Sequence, residues 1–149
     1  MAETKQLSES LEDYLEAIYN LSRAGKVARS RDIAQILDVA CASVTGALKL
    51  LSQRGLIDYE PYGNIYLTEK GLQQAQSVVR RHNIIESFFV NVLGVDKKTA
   101  QQAACKAEHA LGPIVISRLS SFTDFSSYYI ENESDFISDF QKYCRLKGL

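Results

Sequence analysis

The chain has 149 residues, 46% of them hydrophobic and 23% charged, with a net charge of −1. That balance fits one globular core or a small domain with an appended helical one, and it argues against a strongly basic nucleic-acid binder. No apolar run approaches the roughly 20 residues that span a bilayer, and MAETKQLSES lacks the basic-then-apolar pattern of a signal peptide. Cys41, Cys105 and Cys144 are odd in number and widely spaced, which points to a reducing, cytoplasmic setting where thiols serve packing or metal binding.

The charge is unevenly spread. Residues 17–57 hold Arg23, Lys26, Arg29, Arg31, Lys49 and Arg54 against Asp32 and Asp38, a local +4 that leaves −5 for the remainder. A basic face of this kind can bind phosphates even on an acidic chain.

In chain order, Ser8 or Ser10 is placed to cap a first helix with Leu11, Leu15, Ile18 and Leu21 at helical spacing, and Gly25 stops it. Ser30 is placed to cap a short helix, RDIAQILDV. After a tight turn, ASVTGALKLLSQRG starts another near Ala42 or Ser43, with Val44, Leu48 and Leu51 on one side and Gly55 past its end. LIDYE, PYGN and IYLT then read as a hairpin around a Pro/Gly/Asn turn. Helix, helix, short turn, helix, hairpin is the order of a winged helix-turn-helix.

Thr68 is placed to cap a long helix running unbroken to Leu93 before Gly94. Its second half, with Ile84, Ile85, Phe88, Phe89, Val92 and Leu93, is apolar on more than one side, so a partner subunit is a reasonable recipient. Asp96 caps the next helix, Gly112-Pro113 breaks the chain, and PIVISRLSSF reads as a short helix. The tail is expected to end in a helix from about Glu133. There is no internal repeat or low-complexity segment.

Three of these helices carry metal-ligand types at helical spacing. Asp13 and Glu16 lie on the first, His82 and Glu86 on the long one, and Cys105, Glu108 and His109 on the one after it. Each has a plainer reading. Ser10-x-x-Asp13 matches a capping box, Glu16 and His82 suit a solvated surface, and Cys105 among alanines suits a small core. Convergence favours the ligand reading, because both histidines of the chain take part. Several carboxylates suit manganese or iron, whereas a thiolate pulls toward iron, cobalt or zinc. Catalysis is not expected: Cys105 and His109 share one helix, no oxyanion element lies nearby, and there is no HExxH.

The blocks SLEDYLEAIYNL, SRDIAQILDV, SVTGALKLLSQRGLI, IYLTEKG, VRRHNIIESFF and CKAEHAL together resemble the diphtheria-toxin-repressor (DtxR/MntR) family of metal-dependent transcriptional repressors, over roughly residues 8–122. The resemblance implies a mainly α fold with a small β-hairpin wing. Residues 1–70 would form a winged helix-turn-helix DNA-binding domain, and residues 71–149 a helical metal-binding and dimerisation domain acting as a homodimer. It also implies ligand roles. Asp13 and Glu16 match the first-helix ligands of the manganese branch, and His82 matches a ligand in both branches. Glu86 matches an ancillary ligand of the iron branch, and Cys105 that branch's cysteine. Glu108 and His109 match ligands common to both. The chain is therefore a hybrid, manganese-like at Asp13 and iron-like at Cys105, with Gln101 where the iron branch has an ancillary histidine. One site from Asp13, Cys105, Glu108 and His109 is expected, with a weaker one from Glu16, His82 and Glu86. Mn²⁺ or Fe²⁺ would be the cofactor, with Zn²⁺ or Co²⁺ as surrogate.

The second helix of such a motif enters the major groove. Ser43, Thr45, Lys49 and Gln53 are its polar candidates. Arg29 and Arg31 are expected phosphate anchors, and Tyr62 and Asn64 backbone contacts from the wing, although simple solvation is the alternative for each. The partner implied is double-stranded operator DNA, and metal would favour the DNA-competent geometry. The competing reading is a winged-helix regulator that answers to a small organic effector.

Overall fold

The structure, a computed structural model, describes residues 7–131 and 136–148. Its elements run α1 Glu9–Arg23, α2 Ser30–Leu37, α3 Cys41–Gln53, β1 Ile57–Tyr59, β2 Ile65–Leu67, α4 Glu69–Ser87, a π-helical turn Phe88–Val92, α5 Lys97–Ala107, α6 Pro113–Glu131 and α7 Phe136–Leu146. Two compact units, Met1–Val79 and Arg80–Leu149, divide within α4. No single described helix is long and apolar enough to cross a membrane.

The first unit is the winged helix-turn-helix. Ser8 caps α1 by accepting the Leu11 N–H at 3.4 Å, so Asp13 lies beyond the first turn and not in a Ser10–Asp13 capping box. Leu15 and Ile18 of α1, Ile33 of α2, and Val44, Leu48 and Leu51 of α3 fill one core with Leu56 and Ile65. Ser30, expected as a cap, is instead the first residue of α2. Arg29 is the cap and makes no side-chain cap bond. The reason is the isolated bridge between Ala28 and Ile65, whose N–H donates to Ala28 O at 3.0 Å; it ties the residue before Arg29 to the sheet, and the helix starts directly after. Helix α3 likewise begins at Cys41, just ahead of Ala42. β1 and β2 pair antiparallel, Ile57 with Leu67 and Tyr59 with Ile65.

Thr68 is the hinge between wing and α4. Its hydroxyl donates to Gly55 O at 2.7 Å and accepts the Gly71 N–H at 3.0 Å. Ala75 then packs into the same core. Gly71 allows this approach, because a Cβ there would sit 1.8 Å from Leu56 O.

In the second unit, Ile85, Ala104 and Ile116 are buried together, with Ile84, Phe89, Ala107, Leu111 and Leu119 packed around them. Much of the apolar excess expected to need a partner subunit is thus taken up by the chain's own α5 and α6. Phe88 meets Phe122 edge-on at 6.0 Å, and Phe122 and Phe125 remain exposed. The long helix continues to Val92 as expected, but its last turn is π and not α.

Asp96 caps α5 by accepting the Thr99 N–H at 3.0 Å. That hydrogen bonding holds its carboxyl below the usual carboxylate value. A lowered folded value means that the cap contributes above the unfolded value and is lost as pH falls through the folded one. Helix α6 is 19 residues long, not the short helix its first half suggests. Several of its hydroxyls bond back to carbonyls of the same helix, Ser121 to Ser117 O at 3.0 Å and Thr123 to Leu119 O at 3.0 Å. The expected start of the last helix near Glu133 lies outside the described residues; α7 is described from Phe136, with Ile137 buried.

Gly71→Ala is expected to destabilise the protein by about 3 kcal/mol, because the obstructing atom is backbone and cannot swing aside; urea denaturation measures it.

Candidate metal centre and nucleic-acid interface

The cluster in the second unit is built from two stretches. Near the end of α4, His82 and Glu86 are one turn apart, and His82 Nε2 lies 3.3 Å from Glu86 Oε2. The end of α5 supplies the others. Glu108 is the C-cap and keeps helical dihedrals, its N–H donating to Ala104 O at 2.9 Å, so it still projects from the same side as Ala104. Its carboxylate is only 1% exposed.

That carboxylate is the centre of the group. Oε2 lies 2.7 Å from His82 Nδ1, and Oε1 lies 3.5 Å from His109 Nε2. Cys105 Sγ stands 3.8 Å from the same His82 nitrogen. His82 lies on α4 and His109 in the turn past the end of α5, not on the helix of Cys105 as expected, and both stand beside the one acid. Within this unit, then, Glu86, Cys105, Glu108, His82 and His109 form one neighbourhood, in which His82 is not separate from Glu108. Two imidazoles, two carboxylates and a thiol are the donor types of a divalent first-row ion. Asp13 and Glu16 belong to the first unit, three residues apart on α1.

The first unit carries the basic surface. A cleft of about 520 Å³ lies between the start of α2, α3 and the wing. Arg29, Arg31 and Lys49 line it with Thr45, Tyr59 and Tyr62. Cys41 and Gly63 also reach it; neither was singled out for DNA from sequence, where α3 was expected to start one or two residues later than Cys41. Thr45 donates its hydroxyl to Cys41 O at 3.1 Å, which leaves the oxygen's lone pairs outward. Ser43, Gln53 and Asn64 are exposed but do not line the cleft. Asn64 donates to the Tyr66 hydroxyl at 3.2 Å, bracing the wing. Tyr62 has φ +62° and is fully exposed at the wing tip, an unfavourable backbone for a bulky residue.

Comparison with known proteins agrees with this layout. The family model described as the iron-dependent repressor N-terminal DNA-binding domain matches residues 6–65, and that described as the iron-dependent repressor metal-binding and dimerisation domain matches residues 68–132. An uncharacterized HTH-type transcriptional regulator of Methanocaldococcus jannaschii is 40% identical over 79% of this chain and 95% of its own length. The HTH-type transcriptional regulator MntR of Oceanobacillus iheyensis is 33% identical over 91% of this chain and 89% of its own. Among solved structures, the manganese regulator SloR is 30% identical, with a TM-score of 0.68 over 77% of this chain. ScaR with bound Zn²⁺ is 29% identical, with a TM-score of 0.65 over 77%. The chain spans about half the length of those two, covering 54% of each.

Glu108→Ala is expected to destabilise the folded protein by about 1–3 kcal/mol, since the imidazoles that face the carboxylate lose their partner; thermal unfolding in the presence of chelator measures it.

Proposed function

Because the chain belongs to the iron-dependent (DtxR/MntR) repressor family, and is thereby a metal-dependent, DNA-binding transcriptional repressor and not an enzyme, we propose that it senses manganese or iron and controls metal homeostasis from the cytoplasm. It uses a divalent metal cofactor and works as a homodimer on DNA. The observation that carries the reading is the Glu108 carboxylate, 1% exposed between two imidazoles and beside a thiol. A buried acid with such neighbours fits a cation better than it fits an apolar core.

His82, Cys105, Glu108 and His109 would hold the ion, with Glu86 beside them. Asp13 and Glu16 would add the carboxylates that the family resemblance assigns to α1. When bound, the ion supplies positive charge that relieves repulsion among the carboxylates and fixes the ligand-bearing helices. The thiol of Cys105 softens the set relative to one made of oxygen and nitrogen alone, favouring iron, cobalt or zinc more than an all-carboxylate site would. Because a ligand shifts an equilibrium only through differential affinity, repression requires the ion to bind the DNA-competent arrangement more tightly. The organic-effector reading is not favoured by the family assignment.

On the DNA side, Arg29, Arg31 and Lys49 would grip phosphates at the cleft, Thr45 and Ser43 would face base edges or backbone, and Gln53 would contribute from the end of α3. Tyr62 and Asn64 would touch the backbone from the wing. Few long donors lie on α3, so much of the specificity is assigned to half-site spacing and DNA shape.

Gel shift with Mn²⁺ or Fe²⁺ is expected to show operator binding that chelator abolishes. Asp13→Ala, His82→Ala and Glu108→Ala are each expected to lose that response. Equal binding with and without chelator would defeat the sensor reading. Arg31→Ala and Lys49→Ala are each expected to lower the slope of log affinity against log salt by about 1, uniformly across DNA sequences; fluorescence anisotropy over a salt series measures it.

A further inference from the structure

The two ligand-bearing stretches of the second unit are joined by an unusual segment. α4, with His82 and Glu86, does not end as an α-helix. Phe88–Val92 is π-helical, and Leu93 N–H donates to Phe88 O at 3.2 Å. Val95 N–H then closes on Phe89 O at 3.0 Å, over Gly94 at φ +72°. This closure spans one residue more than the usual glycine cap of an α-helix. Asp96 comes next and opens the helix that carries Cys105 and Glu108.

A π turn holds one residue more than the α-helix it interrupts, and such turns occur frequently at functional sites. Losing it would rotate α5 about the α4 axis by about 100° and move it ~1.5 Å along that axis. Its terminal carbonyls also lack intrahelical partners. α7 supplies the missing donor. Gln141 Nε2 donates to Asn91 O at 3.3 Å and to Val92 O at 3.2 Å. The side chain lies flat over the turn: Gln141 Cγ and Cδ would be 3.0 Å from a Cβ on Gly94. Gly94 is therefore required twice, for its left-handed backbone and for the space Gln141 occupies.

We propose that Gln141 is a positioning residue for the metal centre: its amide holds the π turn that sets the His82–Glu86 end of α4 against the Cys105–Glu108 end of α5. The inference rests on the metal reading above, but it concerns a residue that lies past the 68–132 span matched by the family model. Gln141 touches none of the candidate ligands. It acts by capping the carbonyls of Asn91 and Val92, so that the 2.7 Å approach of His82 to Glu108 is kept before the ion arrives.

The test compares the wild-type chain with Gln141→Met, which keeps the shape and removes the donor, and Gln141→Lys, which keeps an N–H donor. Mn²⁺ affinity is read by titration calorimetry, and hydrogen–deuterium exchange of residues 88–95 is read in metal-free protein. Gln141→Met is expected to weaken Mn²⁺ binding by about tenfold and to speed exchange at Leu93 and Val95. Gln141→Lys is expected to restore both most of the way. Unchanged affinity and exchange in Gln141→Met overturns the proposal, as does equal loss in both variants, which would mark a packing role alone. A wild-type chain that binds no Mn²⁺, Fe²⁺ or Co²⁺ overturns the metal reading itself, a result separable from the first two.

Discussion

The arrangement of the second unit depends on a carboxylate held out of water. Glu108 is among the largest fully buried side chains of the described protein, in company otherwise aliphatic. Removing an acid from solvent is unfavourable unless charge or hydrogen bonding replaces the water. Here the replacement comes from His82 at 2.7 Å and His109 at 3.5 Å. The contact with His82 ties residues 26 positions apart. The surrounding packing serves this approach: Ala104 is fully buried on α5, and Ile85 of α4 packs in the same cluster.

Imidazole, carboxylate and thiol donors gathered about one buried acid are suited to a cation. These donors face one another across that acid. What such a group can do is change the free energy of one arrangement of helices relative to another when a cation binds. A sensor needs that and nothing more.

The first unit works by different means. Its core is mostly aliphatic, with Tyr14 and the charged Glu12 also buried, and Arg29, Arg31 and Lys49 gather at one cleft although the chain as a whole is slightly acidic. Local charge density, not net charge, decides whether phosphates are attracted at the scale of a Debye length. Tyr62, in a left-handed backbone at the wing tip, places an aromatic ring wholly in solvent beside that cleft. Such a conformation carries a backbone cost that packing at the exposed tip does not offset.

The sequence by itself determined the order of elements, the hairpin, the caps at Thr68 and Asp96, and where candidate donor residues stand, while Ser8 and Ser10 were both open as the first cap. These are local properties: helical periodicity sets where a side chain points about its own axis, and a cap involves residues three apart. Only the tertiary structure decided that Glu108 is buried while Cys105, three residues earlier, is exposed, that His82 shares Glu108 with His109, and that Thr45 and Lys49 join Arg29 and Arg31 at one cleft while Ser43 and Gln53 do not. It also decided that α6 runs on through a serine-rich stretch and that the end of the long helix is wound as a π turn under Gln141. Each of these depends on how helices distant in sequence pack against one another, and neither spacing nor propensity carries that information.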